Sequence, residues 1–260
     1  MQRYFTKEKN WDEKYVYIVG DDAHHINRVM RMKIGERIIC NHPDERAAIC
    51  EIIDISKEAV KVEIIEWIDD NAELPVSITI AQGLPKGNKL EIILQKGTEL
   101  GANNFILFEG DRSIAKWDKK KSDQKLNRYR KIVKEASEQC HRNKIPEIDV
   151  IPLQTILENG SDYDIMMYAY EEEAKKDQFS SFAKALSSIK PGQKAIIFIG
   201  PEGGFSEREV DLFHKYDCQA IRLGARILRT ETASLYALAS VSYHFEELRC
   251  HECQQSHSIH

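Results

Sequence analysis

The sequence predicts an α/β protein, with a small antiparallel β-unit followed by a larger domain whose mostly parallel sheet is covered by helices on both faces. Three observations predict it. Apolar and polar residues alternate with period two only in the first third of the chain. The polar run Asp69-Asp70-Asn71-Ala72-Glu73-Leu74-Pro75 ends in proline, as a linker does. From Val76 onward, strands alternate with helical stretches. Residues 1–70 are therefore read as a β-barrel, 75–247 as the α/β domain, and 248–260 as a tail expected to be disordered.

In chain order, a short helix over 22–31 leads into strands over 36–40, 46–55 and 59–67. Ala48, Cys50 and Ile52, then Val60, Val62 and Ile64, alternate with polar neighbours, while Gly35-Glu36 and Ser56-Lys57-Glu58 supply turns. The second part offers strands over 76–82, 104–108, 148–151, 164–170, 194–199 and 219–223. Helices are expected over 86–100, 122–140, 177–187, 206–216 and 231–246.

With 42% hydrophobic and 30% charged residues among 260, the composition suits a sizeable core. No apolar run reaches the roughly 18 residues of a membrane span, and Met1-Gln2-Arg3-Tyr4-Phe5 does not read as a signal peptide. Six scattered cysteines are too sparse for a disulfide framework. A cytoplasmic protein with no membrane partner is expected. The tail sets Cys250 and Cys253 before His257 and His260, but the pairs lie too close together for a zinc finger, so no metal is expected. His24-His25 is assigned to the barrel.

The net charge of −5 hides an asymmetry. Residues 111–144 hold twelve Lys/Arg against five Asp/Glu, and 161–177 hold six acidic residues against two lysines. Such patches are either solvated faces or, for the basic one, a surface that approaches phosphates.

Ligands of open α/β sheets bind beyond the carboxyl ends of the strands. Two ends stand out. Gly200-Pro201-Glu202-Gly203-Gly204-Phe205-Ser206 leaves an apolar strand ending at Ile199, and Ser206 with Glu209 has the spacing of a capping box. Its glycines permit a sharp bend that exposes amides to a ligand, or only a tight turn. Leu223-Gly224-Ala225-Arg226-Ile227-Leu228-Arg229-Thr230-Glu231 sets arginines close to a core. Arg226 and Arg229 either pair with Glu202 or Glu231, or one faces an anionic substrate. The next helix is apolar almost all round, so it is central to its domain or packs against a second subunit.

Several stretches together resemble the 16S ribosomal RNA (uracil-N3)-methyltransferases of the RsmE type, in the SPOUT superfamily. They are His24-His25 with Arg28-Val29-Met30-Arg31 and Gly35; Lys86-Gly87-Asn88-Lys89 with Gln95-Lys96-Gly97-Thr98-Glu99-Leu100-Gly101; Asp111-Arg112-Ser113 with Lys116-Trp117; Glu135-Ala136-Ser137-Glu138-Gln139-Cys140-His141-Arg142-Asn143 with Ile145-Pro146; and residues 200–206 and 223–233. The resemblance implies a PUA-like RNA-binding barrel before a SPOUT domain with a C-terminal trefoil knot. It implies S-adenosyl-L-methionine held by Ile199, Gly200, Gly203, Leu223, Gly224, Ile227, Leu228 and Thr230. It also implies a homodimer acting on 16S ribosomal RNA of the small ribosomal subunit. Methylating uridine N3 requires loss of an imide proton and stabilisation of the anion. Arg229, then Arg142, suits the second task, and Glu231 or Glu202 the first. A non-catalytic RNA-binding or ribosome-assembly factor would have no use for intact loops at 200–204 and 223–230, and a nucleotide-dependent oxidoreductase would need a dinucleotide fingerprint that is missing.

Overall fold

The computed structural model describes residues 1–69, 71–117, 122–170 and 180–248. Asp70 of the linker, residues 118–121 of the basic stretch, part of the acidic stretch and the Cys/His tail lie outside them. The described residues divide into two compact units, the first comprising 1–73 together with 137–145.

In the first unit, β1 (Arg3–Phe5), β2 (Tyr15–Val19), β3 (Arg37–Asn41), β4 (Ala47–Ile55) and β5 (Ala59–Ile68) form a sheet in the order β1-β3-β4-β5-β2. Two details differ from the expectation. The strand β1 runs parallel to β3, so the unit is not purely antiparallel. Moreover β1 and β2 are edges that do not pair with each other, which makes the curled sheet a half-barrel rather than a closed one. The alternation read from the sequence is a real facing pattern: Ala48, Cys50, Ile52, Val60 and Val62 are buried together with Val16, Ile18, Ile26 and Ile38. Helix α1 (Asp21–His24) continues into a single wide turn through Val29. The segment 137–145 joins this unit through polar contacts. Arg3 Nη1 donates to the Arg142 carbonyl at 3.1 Å and to Asn143 Oδ1 at 2.5 Å, and Asn41 Nδ2 donates to the Arg142 carbonyl at 2.8 Å.

The second unit is built on seven strands: β6 (Ser77–Gly83), β7 (Asn104–Phe108), β8 (Glu147–Val150), β9 (Ile165–Ala169), β10 (Ser180–Ser181), β11 (Lys194–Ile199) and β12 (Gln219–Arg222). All pairings are parallel, in the order β10-β12-β9-β11-β6-β7-β8. The helices are α2 (Lys89–Glu99), α3 (Ser122–Gln139), α4 (Leu153–Glu158), α5 (Phe182–Ser188), α6 (Glu207–Lys215) and α7 (Thr230–Ser242). Helix α4 and the two-residue β10 are additions to the expected set. Ile196 and Phe198 of β11 pack with Leu153, Ile156 and Leu157 of α4 and Val210 and Phe213 of α6. Helix α7 packs against α2, β6 and β11. Strands sandwiched in this way are buried on both faces, which is why β11 reads as a continuous apolar run rather than an alternation. After β11 the chain passes β9 to reach β12, so the loops following these three neighbouring strands converge at one end of the sheet.

Candidate active site

Those converging loops enclose a cavity of about 740 Å³. Its wall takes Ala169 and Tyr170 from the end of β9, residues 199–205 from the end of β11, and residues 221–230 with Ala233 from the end of β12 and the start of α7. A cavity of this size is within the range that encloses a cofactor-sized molecule. Every residue expected to hold a cofactor is on this wall: Ile199, Gly200, Gly203, Leu223, Gly224, Ile227, Leu228 and Thr230. Glu202 and Arg229 line it as well, whereas Glu231 and Arg142 do not.

The turn 200–205 is held from several sides. Ser206 caps α6 as its spacing requires: its hydroxyl accepts from the Glu209 amide at 3.2 Å, and Glu209 Oε2 accepts from the Ser206 amide at 2.7 Å. Glu209 is buried, and its second oxygen accepts from the Asp111 amide at 3.0 Å, so α6 also anchors the loop after β7. Arg208 and the Ser206 hydroxyl donate to Asp111, which holds that carboxyl below its ordinary value. On the other side, β6 meets the turn directly. A Cβ on Gly83 would fall 2.6 Å from Pro201 Cδ and 2.8 Å from its nitrogen, so only glycine permits the contact.

Beneath the cavity lies a buried polar chain. Ser234 Oγ donates to Gln82 Oε1 at 2.6 Å, Gln82 Nε2 donates to Thr230 Oγ1 at 2.9 Å, and that hydroxyl donates to the Gly200 carbonyl at 2.7 Å. The end of β6, the first turn of α7 and the loop after β11 are thereby locked together. Sequence reasoning assigned Thr230 but missed Gln82 and Ser234. The one signal was an amide side chain next to the apolar run Ile80-Ala81.

The loop 223–229 has the opposite character. None of its backbone N–H groups donates to an acceptor among the described residues. Gly224 has φ +82°, a left-handed conformation that turns the loop over the cavity. The loop therefore offers a line of open amides beside the apolar side chains Leu223, Ile227 and Leu228, and Ile227 is 85% exposed. Unsatisfied amides next to apolar walls suit a flat heterocycle that is stacked on its faces and hydrogen-bonded at its edge.

The charged residues sort differently from the simple pairing considered above. Arg226 and Arg229 are exposed, and neither has an ion pair or side-chain hydrogen bond among the described residues. Glu202 is held instead by Lys89, whose Nζ lies 2.7 Å from Oε1, and by the Lys86 amide at 3.1 Å. Partial burial pushes the Glu202 carboxyl upward, but these hydrogen bonds outweigh it and hold the group below its ordinary value. The hydrogen bond to Glu202 in turn raises Lys89. Lys89 also lies 3.6 Å from Glu231 Oε2, a buried carboxylate oxygen with no hydrogen-bond partner among the described residues, so one ammonium serves both carboxylates. Arg112 reaches the same wall and donates to the Gly203 carbonyl at 3.1 Å. Lys89 and Arg112 belong to motifs visible in the sequence, but nothing there placed them at this cavity.

Arg142 is elsewhere. It belongs to the first unit, where its buried guanidinium donates to Glu73 through Nε at 3.1 Å and also through Nη2. Glu73 further accepts from the Asn143 and Lys144 amides at 3.1 and 3.2 Å. Of the basic stretch, Lys125, Arg128, Arg130 and Lys131 are exposed on α3, with Arg128 paired to Glu91 at 2.8 Å.

Comparison with known proteins follows the same division. A family model described as an RNA methyltransferase domain matches residues 72–242, and one described as an RNA methyltransferase PUA domain matches 18–65. The chain is 47% identical over 253 residues to the ribosomal RNA small subunit methyltransferase E of Bacillus subtilis, covering 96% of this chain and 99% of that one. It is 31% identical to the protein of the same name from Buchnera aphidicola, with 93% of each covered. A crystal structure of the Neisseria gonorrhoeae ribosomal RNA small subunit methyltransferase E bound to S-adenosyl methionine superposes with a TM-score of 0.81 at 27% identity, covering 94% of this chain and 98% of that one.

Proposed function

The chain belongs to the ribosomal RNA small subunit methyltransferase E family, and we propose that it methylates N3 of one uridine in 16S ribosomal RNA. It is an S-adenosylmethionine-dependent ribosomal RNA methyltransferase. The observation that carries the reading is the cavity at the ends of β9, β11 and β12, in which open backbone amides and apolar side chains adjoin an arginine with no ion pair among the described residues.

The residues present fit the cofactor. Amides of the 223–229 loop suit the edge of an adenine, Leu223, Ile227 and Leu228 suit its faces, and Gly200 and Gly203 let backbone approach closely. When bound, S-adenosylmethionine supplies an electrophilic methyl group on a sulfonium, and transfer to N3 releases the thioether and one proton. The loops after β11 and β12, joined where the Thr230 hydroxyl donates to the Gly200 carbonyl, are the part we read as the trefoil knot.

The chain must make N3 nucleophilic and align it. Arg229 is free to face a uracil carbonyl and stabilise the negative charge that spreads onto oxygen as the imide proton leaves. Glu202 lines the cavity and is placed to receive that proton, but a carboxylate already holding Lys89 is a weak base. Activation therefore rests mainly on the arginine. Glu231 supports it by sharing Lys89, and Arg142, tied to Glu73, has a structural part.

The outer face of α7 and of the turn that continues it leaves Tyr236, Ala239 and Tyr243 uncovered at helical spacing, which supports a homodimer formed through this helix. Light scattering at micromolar concentration should give twice the chain mass. No helix among the described residues is long and apolar enough to cross a membrane; a ribosomal RNA substrate supports a cytoplasmic location.

The reading is tested by incubating the protein with labelled S-adenosylmethionine and unmodified small subunits, then mapping the product. Label at N3 of a single 16S uridine is expected. Label on another atom, or none, would reject it.

A further inference from the structure

The half-barrel unit carries a surface for which the cavity does not account. Within residues 28–37 every side chain except Met32 is exposed. Val29 is 60% exposed, Met30 40% and Ile34 63%, so three large apolar groups within six residues form a patch rather than isolated exceptions. Arg28, Arg31 and Lys33 alternate with them, and none has an ion pair or hydrogen bond from its side chain among the described residues.

The loop is anchored on both sides. The Met30 amide donates to the His25 carbonyl at 2.9 Å, the Met32 amide to the Ile26 carbonyl at 3.0 Å, and the Gly35 amide to the Ile52 carbonyl at 2.8 Å. Between these anchors Arg31 has φ +53°, a left-handed conformation that a residue with a long side chain rarely adopts. Strain of this kind, retained in an exposed and well-anchored loop, marks a shape kept for contact rather than for stability.

Charge selects the partner. Three uncompensated cations would repel a second copy of themselves across a two-fold axis, whereas RNA supplies phosphates for all three. The apolar groups select among RNAs. A paired A-form helix presents phosphates and 2′-hydroxyls to such a loop, while an unstacked base presents an apolar face.

We propose that residues 28–34 are an RNA-docking loop in which Arg28, Arg31 and Lys33 hold the backbone while Val29, Met30 and Ile34 pack against unpaired bases. The proposal rests on the ribosomal RNA methyltransferase reading and adds where, and to what form of RNA, the half-barrel binds.

The test uses the full chain with two fluorescent probes of equal length, an RNA hairpin with an unpaired loop and a fully paired RNA duplex. Replacing Val29, Met30 and Ile34 together by serine should weaken hairpin binding at least about tenfold and leave duplex binding and salt dependence unchanged. Arg28→Ala with Lys33→Ala should weaken both probes and flatten the hairpin's log–log salt slope by about 0.7 per lost contact. Arg31→Gly removes a charge but relieves the left-handed backbone, so binding should fall while Tm holds or rises, which separates loss of contact from loss of fold. Wild-type affinity in all three variants, alongside measurable wild-type binding, overturns the proposal. A changed sedimenting mass in the serine variant also overturns it, by assigning the loop to a contact between copies. Failure of the enzyme reading would appear separately, as wild-type protein that incorporates no methyl group into small subunits.

Discussion

The Thr230 hydroxyl donates to the Gly200 carbonyl at 2.7 Å, joining the first residue of α7 to the turn that follows β11. The same hydroxyl accepts from Gln82, which accepts in turn from Ser234. The two loops of the cavity are thus set by a polar chain buried beneath them.

Ser234→Ala breaks that chain at its far end and leaves Gln82 Oε1 buried without its donor. Unfolding free energy should fall by about 1–3 kcal/mol in denaturant titrations, and affinity for S-adenosylmethionine should fall with it. A variant as stable as the parent would show that the chain is dispensable.

Gly224→Val acts on backbone conformation rather than space. A Cβ at Gly224 would find Tyr236 Oη no closer than 3.6 Å, but φ +82° is costly for a β-branched residue. The exposed loop should shift while the rest stays folded, so calorimetric titration should show S-adenosylmethionine binding lost with circular dichroism unchanged. Retained affinity would remove this loop from the site.

Arg229→Ala separates binding from chemistry. Arg229 precedes α7 without a side-chain cap and pairs with no carboxylate among the described residues, so stability and cofactor affinity should hold. Turnover should fall by about a hundredfold or more, as when one oxyanion donor is removed. Arg229→Lys should recover little, because an ammonium lacks the planar fork. Joint loss of affinity, stability and turnover would make the residue structural.

Glu202 is held below its ordinary value and Lys89 above its own by one shared contact. A carboxyl held below its ordinary value contributes stability above that value and loses it as pH falls through the lowered one. Lys89, raised by the same contact, loses its contribution only as pH climbs through its raised value. The pair is therefore constant across neutral pH. Glu202→Gln should leave any alkaline rise in the rate profile in place, and its disappearance would identify Glu202 as the group that titrates there.

Glu73→Ala tests the role of Arg142 away from the cavity. The guanidinium would stay buried without its carboxylate, at a cost of roughly 3–5 kcal/mol. Thermal unfolding should shift down sharply, with turnover of the protein that remains folded near normal at low temperature. A stable variant with no turnover would return Arg142 to the chemistry.

Much of this was legible in one dimension, for local reasons. Period-two burial marked β4 and β5, because one face of the curled sheet is wet and the other dry. The S-x-x-E spacing of Ser206 and Glu209 located the start of α6, because a capping box involves only neighbours. The glycine turn and the arginine loop pointed to the ends of the right two strands. Three features needed the tertiary structure. The parallel pairing of β1 with β3 and the open edge beside it depend on contacts more than thirty residues apart, which no periodicity encodes. Gln82 and Ser234 became a site only when β6 and α7 came together across 152 positions. Arg142 and Arg229 looked alike as arginines near glycine or asparagine, and what distinguished them was the company each keeps. Glu73 neutralises one in a buried pocket, while the other meets no carboxylate among the described residues and stays at the cavity wall. A side chain's charge is written in the sequence, but its partner is chosen by the fold.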